Sequence, residues 1–409
     1  MTNTNLNLRL FFSFLLLFSV VFASCQDEKI VVTIPPANLH VDDTEVVFGS
    51  SLALKGHAGY LGRETLKGAM CYLNHINETG GIHGRQIRVI TRDDSYDPPK
   101  CLSNTQQFIV EDQVFGLFCY VGTPTTVKIL PLVEEARIPL LGMFTGANAL
   151  RDPFSPYIIN VRASYYQETG IAVNHMIKDL KLSRIAVFYQ YDDFGFDGLT
   201  GTELALKKFH LEPVARGSYV RGTHDIFEGL EKIMEANAEA VVMIGTSDPC
   251  ANFIQKALQK NFSPIFYMVS FVGARELSKN FADSNTSGVN ILMSQVVPPP
   301  VTPDGKIAPS AAEFARLLDQ YFPGEEANFV GFEGYINAKV LAEGLKRAGR
   351  DLTRRSFLAA INSMDDFSVG SGVHLSFSPK DHQGMDTIYF TRLKKGRFEL
   401  LSDWMELKQ

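Results

Sequence analysis

The main pattern along the chain is an alternation of apolar, strand-like runs with segments of helical period. Runs such as Val114–Cys119, Ile185–Tyr189 and Ala240–Ile244 predict buried strands. Between such runs, segments such as Arg63–Glu78 place their apolar residues near one helical face. Repeated alternation of this kind is typical of parallel sheets covered by helices on both faces. The predicted fold class is therefore α/β, with two doubly wound parallel-sheet lobes.

Three segments interrupt the alternation and predict crossovers between the lobes: residues 160–162, 289–300 and 370–380. The second of these ends in three consecutive prolines, which stop any regular element. We expect lobe 1 to comprise residues 45–161 and 298–372, and lobe 2 to comprise residues 162–297 and 373–409.

The segments after the second crossover complete both lobes. Ser310–Tyr321 and Phe332–Arg347 predict helices that return to lobe 1. The tail predicts a β-hairpin in lobe 2, with strands at Thr387–Thr391 and Arg397–Leu401.

The first residues have the form of a secretory signal. Arg9 precedes an apolar run over residues 10–22, which is too short for an ordinary spanning helix and ends in small residues. We therefore predict a signal peptide over residues 1–24 and a periplasmic or cell-envelope location. Phe22-Ala-Ser-Cys25 resembles a bacterial lipobox, in which the cysteine receives lipid after cleavage. Cys25 is thus a predicted lipidation site, with ordinary cleavage after Ala23 as the alternative.

The remaining cysteines do not have the spacing of a metal site. In an oxidising compartment a disulfide is expected, and Cys71 with Cys101 is the preferred pair. Successive helices of a doubly wound sheet can lie on opposite faces, so free buried thiols are the alternative.

Composition narrows the range of functions. The 409 residues carry a net charge of −6 without a basic stripe, which argues against a nucleic-acid partner. Motifs of serine hydrolases, zinc proteases and phosphate loops are absent from the sequence. We therefore predict a protein that is not an enzyme and that uses no cofactor or metal.

Two polar loops carry the chemistry that the sequence does suggest. Tyr120–Thr126 and Gly142–Arg151 each follow a short apolar strand and lead into a predicted helix. Unpaired backbone N–H groups at helix starts, with small and hydroxyl residues beside them, can hold an anionic or strongly polar group. The alternative reading of Thr123 is an ordinary helix cap, and that of Phe144 is a core residue.

These loops, together with Gly56–Gly62, Asn77–Arg85 and Asp93-Asp94, resemble the type I periplasmic binding proteins in their order and spacing. The similarity is to the branched-chain amino acid (leucine-binding-like) group, and it extends from about Glu45 to the C-terminus. It implies a monomeric solute-binding protein that delivers a small-molecule ligand to the permease of an ABC importer. A ligand sensor that signals to a kinase or chemoreceptor is the alternative. A membrane would be contacted only through the lipid anchor.

The resemblance also assigns roles to residues. Thr123 would bind the ligand's carboxylate, the loop from Phe144 would add backbone and hydroxyl groups, and Phe194 would close the pocket. Where amino-acid binders of this family supply a carboxylate for the ammonium group, this chain has Thr246 and Val272-Gly-Ala274, and Asp248 is either a substitute or a helix cap. The ligand is therefore expected to carry a carboxylate or similar polar head and an apolar or aromatic body, with no need for an α-ammonium group. The predicted ligand-binding residues are Tyr60, Leu61, Gly122, Thr123, Phe144, Thr145, Gly146, Ala147, Tyr165, Phe194, Thr246, Phe271 and Tyr335.

Overall fold

The computed structural model describes residues 41–282, 288–370 and 372–408. The predicted signal peptide and Cys25 lie outside these ranges, so both remain predictions. Within the described ranges, no helix is both long and apolar enough to cross a membrane.

The first part of the chain builds a parallel five-stranded sheet in the order β2-β1-β3-β4-β5. We call this sheet, with the helices that cover it, lobe 1. Its first elements are β1 Glu45–Leu52, α1 Gly59–Glu78, β2 Gln86–Asp93, α2 Pro98–Val110, β3 Gly116–Phe118, α3 Thr123–Ala136, β4 Leu140–Leu141 and β5 Ile158–Ile159.

The next part builds the parallel portion of a second sheet, which we call lobe 2 together with its helices. Its elements are α4 Tyr165–Lys178, β6 Ile185–Gln190, α5 Asp193–Lys207, β7 Arg216–Tyr219, α6 Phe227–Glu235, β8 Ala240–Ile244, α7 Ser247–Gln259, β9 Ile265–Met268, α8 Ala274–Lys279 and β10 Ile291–Gln295. The segment 289–300, in which a crossover was predicted, contains β10, which pairs with β9, so the chain leaves lobe 2 after Gln295.

The chain then returns to lobe 1 before it ends in lobe 2. The remaining elements are α9 Ala312–Tyr321, α10 Phe329–Ala348, α11 Arg354–Asn362, β11 Phe367–Gly370, β12 Val373–Leu375, β13 Tyr389–Lys394 and β14 Arg397–Leu400. The predicted hairpin is confirmed as β13–β14, and β13 pairs antiparallel with β10. This gives the seven-stranded order β14-β13-β10-β9-β8-β6-β7.

The last crossover comes later than expected. β12 pairs with β11, and Leu375, Phe377 and Met385 are buried in the same apolar cluster as α10 of lobe 1. The chain therefore reaches lobe 2 between Met385 and β13, and the predicted boundary at 372/373 falls before this packed segment.

Alternating side chains of the central strands belong to apolar cores on opposite faces of each sheet, as expected for sheets covered by helices on both faces. In β1, Val47 faces α2 and α3, whereas Val46 and Phe48 face α1 and α10. In β6, Val187 belongs to the cluster that includes Val47, and its neighbours Ala186 and Phe188 belong to another. One apolar cluster is thus continuous from lobe 1 to lobe 2.

The same arrangement overturns the predicted disulfide. Cys71 on α1 and Cys101 on α2 are both buried free thiols, and they belong to the clusters on opposite faces of the lobe 1 sheet. The sheet itself separates the two sulfur atoms. Cys119 and Cys250 are also buried and free.

Candidate functional site between the lobes

A cluster of buried aromatic rings joins the two lobes. Tyr96 and Phe144 come from lobe 1, and Tyr165, Phe194 and Phe271 come from lobe 2. The Phe271 ring is central, with centroid distances of 5.9 Å to Tyr96, 5.7 Å to Phe144 and 4.6 Å to Phe194. Tyr165 completes the set at 5.3 Å from Phe194. We call these five residues the ring cluster, and it is the apolar part of the candidate site.

Strand ends and helix starts place these rings. Phe144 follows β4, Phe271 follows β9, and the carboxyl ends of parallel strands are where open α/β sheets bind ligands. Phe194 lies in the first turn of α5, which Asp192 caps by accepting from the backbone N–H of Phe194 at 3.1 Å. The positions of these rings are therefore set by the ends of β4 and β9 and by the start of α5.

Two threonine hydroxyls form the polar part of the site in lobe 1. Thr123, the first residue of α3, and Thr145, after β4, have their Oγ1 atoms 2.6 Å apart, and both residues are buried. The hydroxyls of Thr125 and Thr126 instead donate to carbonyls one turn back, including that of Gly122. Among the described residues, the hydroxyls of Thr123 and Thr145 donate to no such carbonyl, and either hydroxyl can rotate towards a ligand.

Two predicted glycines allow the rings to approach the backbone. A Cβ on Gly146 would lie 2.7 Å from the Tyr165 ring, and one on Gly122 would lie 2.1 Å from the Tyr96 ring. Gly122 also has φ +103°, which favours glycine. Ala147, next in the loop, is buried and its N–H donates to Thr145 Oγ1 at 3.3 Å.

Lobe 2 contributes a hydrogen-bonded polar wall. The Tyr219 hydroxyl donates to Gln190 Oε1 at 3.0 Å and accepts from the Thr246 N–H at 2.9 Å. Gln190 in turn donates to Asp192 Oδ2 at 2.6 Å. Thr246 therefore lies in this wall, held by Tyr219 rather than by a carboxylate.

Side chains at the start of α1 and just before it line the edge of the interface between the lobes. Tyr60 and Leu61 approach lobe 2, where a Cβ on Gly273 would lie 3.2 Å from each. His57 packs against the Tyr96 ring at 5.3 Å, and Arg221 of lobe 2 lies 5.8 Å from the same ring. Burial, followed by the charge of Arg221, lowers the pKa of His57.

Several buried polar atoms in this region have no hydrogen-bond partner among the described residues. They include the hydroxyl of Tyr60 and the Nε2 atom of His57. Burial raises the pKa of Tyr60, Tyr96 and Tyr165, so each hydroxyl keeps its proton and can donate it in a hydrogen bond. Unsatisfied buried donors are costly, which is consistent with a site that receives a polar ligand.

Tyr335 does not join the site. Its hydroxyl donates to Glu313 at 2.6 Å, and its ring packs against Tyr72 and Phe314 within lobe 1. The prediction of Tyr335 as a ligand-binding residue is therefore wrong, because α10 turns this face towards α1 and α9. Asp248 is exposed in the first turn of α7.

The sequence reasoning missed Tyr96 and His57. Tyr96 could have been identified from the sequence, because it follows Asp93-Asp94 at the end of strand β2. Asp94 is buried, accepts from Ser51 Oγ and the Tyr96 N–H at 2.8 Å each, and its pKa is raised by burial to about 6. This turn holds Tyr96 at φ 61°, an uncommon conformation for a bulky residue.

The arrangement is suited to binding rather than to catalysis. No group of three or more metal-ligating side chains occurs among the residues that the structure describes. The site combines an apolar ring cluster with hydroxyl donors, as small-molecule sites commonly do.

Comparison with known proteins agrees with this architecture. A family model described as periplasmic binding protein matches residues 45–397. An amino acid binding protein of Pseudomonas aeruginosa is 21% identical over 262 residues, which cover 64% of this chain and 70% of that protein.

Solved structures show the same fold. A possible leucine/isoleucine/valine-binding protein of Rhodopirellula baltica has a TM-score of 0.83 and 29% identity, over 91% of this chain and 100% of that chain. The fatty acid ABC transporter substrate-binding protein of Thermomonospora curvata has a TM-score of 0.79 and 18% identity, over 91% of this chain and 95% of that chain.

The chain therefore belongs to the periplasmic binding protein family, and its fold is that of the type I members. The resemblance to the leucine/branched-chain amino acid group is confirmed. Members of this family are substrate-binding proteins, so the prediction that the chain is not an enzyme is also confirmed.

Proposed function

We propose that this protein is an exported solute-binding protein that encloses a small molecule between its lobes and delivers it to an ABC importer. The ligand would carry a carboxylate or similar polar head and an apolar or aromatic body. The observation that carries the proposal is the ring cluster, because both lobes contribute to it and the Thr123–Thr145 pair adjoins it. Closure around a ligand would then be driven by contacts made only in the closed state.

The polar head is assigned to lobe 1. Thr123 begins a helix of 14 residues, where unpaired N–H groups and the helix dipole favour negative charge. The Thr123 and Thr145 hydroxyls can each donate to an anion. The names of the relatives above include amino acids and a fatty acid, and both of these ligand classes carry a carboxylate.

The carboxylates of lobe 2 offer little to an α-ammonium group. Asp192 accepts from Gln190 and from the N–H groups at the start of α5, and Glu168 accepts from Ser270 and Arg162. Asp197 is different: Oδ1 accepts from the Asn148 N–H of lobe 1 at 2.8 Å, and Oδ2 is buried with no partner among the described residues. An ammonium-bearing ligand would therefore find its counter-charge at Asp197, or at the exposed Asp248 in the first turn of α7; without either, the desolvated ammonium would be costly.

The test is a thermal-shift screen followed by calorimetry on named pairs. Leucine is compared with 4-methyl-2-oxopentanoate, phenylalanine with phenylpyruvate, and octanoate is added as a longer chain. We expect the acids without an ammonium group to bind at least as tightly as the matching amino acids. Tight binding of the amino acids that is lost in Asp197→Asn or Asp248→Asn would contradict this ligand class.

The threonine pair is tested in the same assay. Thr123→Val and Thr145→Val should each weaken the tightest binder by about 1–3 kcal/mol, because a hydrogen bond to a charged group is lost. Thr200→Val is the matched control, since its hydroxyl donates to Phe196 O on the exposed surface of α5. Unchanged affinity in both site variants would remove the pair from the site.

Export and delivery require separate tests. Fractionation of cells that express the full chain should place the protein in the envelope, and Cys25→Ser should release it from the membrane fraction. Uptake of the binding-assay ligand by cells should require this protein, and uptake that is unaffected by its loss would contradict the transport role.

A further inference from the structure

A buried ion cluster lies where the first crossover joins the lobes. The guanidinium of Arg162 is 1% exposed, and it contacts Glu168 of α4 (Nη2–Oε1, 3.1 Å) and Glu333 of α10 (Nη1–Oε1, 3.3 Å). Nη2 also donates to the hydroxyl of Ser270. Glu168 and Ser270 belong to lobe 2, whereas α10 packs in lobe 1 against α1. The guanidinium therefore bridges the two lobes at the hinge.

The two carboxylates of this cluster are not equivalent. Glu168 also accepts from the Ser270 N–H at 2.8 Å, the Ser270 hydroxyl at 3.0 Å and the Ser294 hydroxyl at 2.5 Å. In the described chain, Glu333 accepts only from Arg162 Nη1, at 3.3 and 3.5 Å. One guanidinium thus faces two buried carboxylates, and the excess negative charge falls on the less well hydrogen-bonded Glu333.

Arg151 adds a positive charge near Glu333, but its guanidinium donates to Gln383 Oε1 and to the carbonyls of Ala147 and Arg162 rather than to a carboxylate. Burial raises the pKa of Glu333 to about 7, against the opposing positive charges of Arg162 and Arg151, and the charge of Glu168 adds to the rise. The thiol of Cys119, which directly follows β3, also lies near Glu333, and burial raises the pKa of this thiol.

The cluster also supports the ligand site. The Arg162 guanidinium lies 5.0 Å from the centre of the Phe144 ring and 5.7 Å from that of Tyr165. Ser270, which both Arg162 and Glu168 hold, directly precedes Phe271. Three members of the ring cluster, drawn from both lobes, are therefore positioned by this one group of charges.

We propose that the Arg162–Glu168–Glu333 cluster is a proton-linked hinge, in which Glu333 takes up a proton as the lobes close. Opening would draw Glu333, in lobe 1, away from the lobe 2 groups that hold Arg162, and would admit water to its carboxylate. Its proton affinity would then return towards that of an ordinary glutamate. This device goes beyond the ligand-capture role and does not depend on the identity of the ligand.

The direction of the pH dependence follows from linkage. A carboxyl group whose pKa is higher in the closed state than in the open state favours closure as the pH falls between the two values. The window here runs from about 7, for the closed state, down towards the ordinary glutamate value of about 4.3. Within it, the closed-to-open ratio should rise by up to about tenfold for each unit of pH lost.

The experiment uses the mature chain without ligand. Small-angle X-ray scattering from pH 8 to pH 5.5 should show a decreasing radius of gyration, and Glu333→Gln should be compact at pH 8 and insensitive to pH. Infrared difference spectra should show a protonated carboxyl band that titrates near neutral pH and is missing in Glu333→Gln. Glu313→Gln, a half-exposed carboxylate on α9 of the same lobe, is the control and should titrate like the unmodified protein.

Two outcomes overturn the proposal. One is a Glu333→Gln protein that keeps the full pH dependence of scattering and the same infrared band. The other is an unmodified protein in which neither signal changes over this pH range, a result that holds even if the variant does not fold. Failure of the proposed ligand class would leave both signals unaffected, so the two proposals can fail separately.

Discussion

Phe271→Ala is the substitution that most directly tests the link between the ring cluster and lobe closure. Phe271 belongs to lobe 2 and is fully buried, yet two of its three ring contacts, with Tyr96 and Phe144, cross to lobe 1. The third contact, with Phe194 at 4.6 Å, stays within lobe 2. Truncation should therefore weaken the closed state more than it weakens lobe 2 itself.

The two cross-lobe ring contacts set the expected free-energy cost to the closed state. Each aromatic pair is worth about 0.5–1.5 kcal/mol beyond its buried area, so losing two cross-lobe pairs should cost the closed state about 1–3 kcal/mol. That corresponds to a shift of about 5- to 150-fold towards the open form, since about 1.4 kcal/mol is a factor of ten. Overall stability should also fall by about 3–5 kcal/mol because a buried phenylalanine is lost.

The assay measures the distance between spin labels on exposed residues of the two lobes, Lys128 and Lys207, each replaced by cysteine. Phe253→Ala is the matched control, because among the described residues its ring pairs with Phe188 and Phe266, both within lobe 2, and it packs in the lobe 2 core. The control should lower the melting temperature and leave the label distances unchanged. The reasoning is refuted if Phe271→Ala leaves the distances unchanged, or if Phe253→Ala shifts them equally.

Further substitutions test the packing and the charges. Gly68→Ala should lower the melting temperature by several degrees, since its Cβ would lie 1.8 Å from Gly331 O where α1 meets α10. Gly170→Ala on α4 is the control: its Cβ would meet nothing within 4 Å, and the change should stabilise the protein by about 1 kcal/mol. Tyr335→Phe should lose the Glu313 hydrogen bond and a little stability without changing calorimetric ligand affinity; a large affinity loss would return Tyr335 to the site. Asp94→Asn should gain stability relative to the unmodified protein as the pH rises from about 4 to above 6, because burial raises the folded-state pKa to about 6; equal denaturation midpoints at pH 4 and pH 8 would contradict this. Mass mapping without reductant should find Cys71 and Cys101 as thiols, and a linked peptide would contradict their placement on opposite faces.

The sequence predicted the architecture well because periodicity and strand-end chemistry are local. The strand predicted at Ala240–Ile244 has the observed bounds, and the helix predicted at Ser310–Tyr321 is observed as α9, Ala312–Tyr321. Helix α4 was not predicted, although Ser164 and Gln167 form a capping box at its start. Short strands such as β5, with two residues, leave too little pattern to detect.

The site was predicted only in part, because its geometry depends on how the elements pack. Thr123 and Thr145 were identified from their loops, but their 2.6 Å contact requires the pairing of β3 with β4. Tyr335 and the proposed disulfide failed for the same reason: the sequence does not show which face of a helix or sheet a side chain occupies. The Arg162 cluster joins residues 171 positions apart, so no local signal could reveal it.

The most direct test of the central claim is a crystal structure of the protein with the tightest binder from the thermal-shift screen. We predict the ligand's carboxylate within hydrogen-bond distance of Thr123 Oγ1 and Thr145 Oγ1, and its apolar body against Phe194 and Phe271. A ligand bound outside the interface of the lobes, or one held by its polar head in lobe 2 with both threonines uncontacted, would contradict the account.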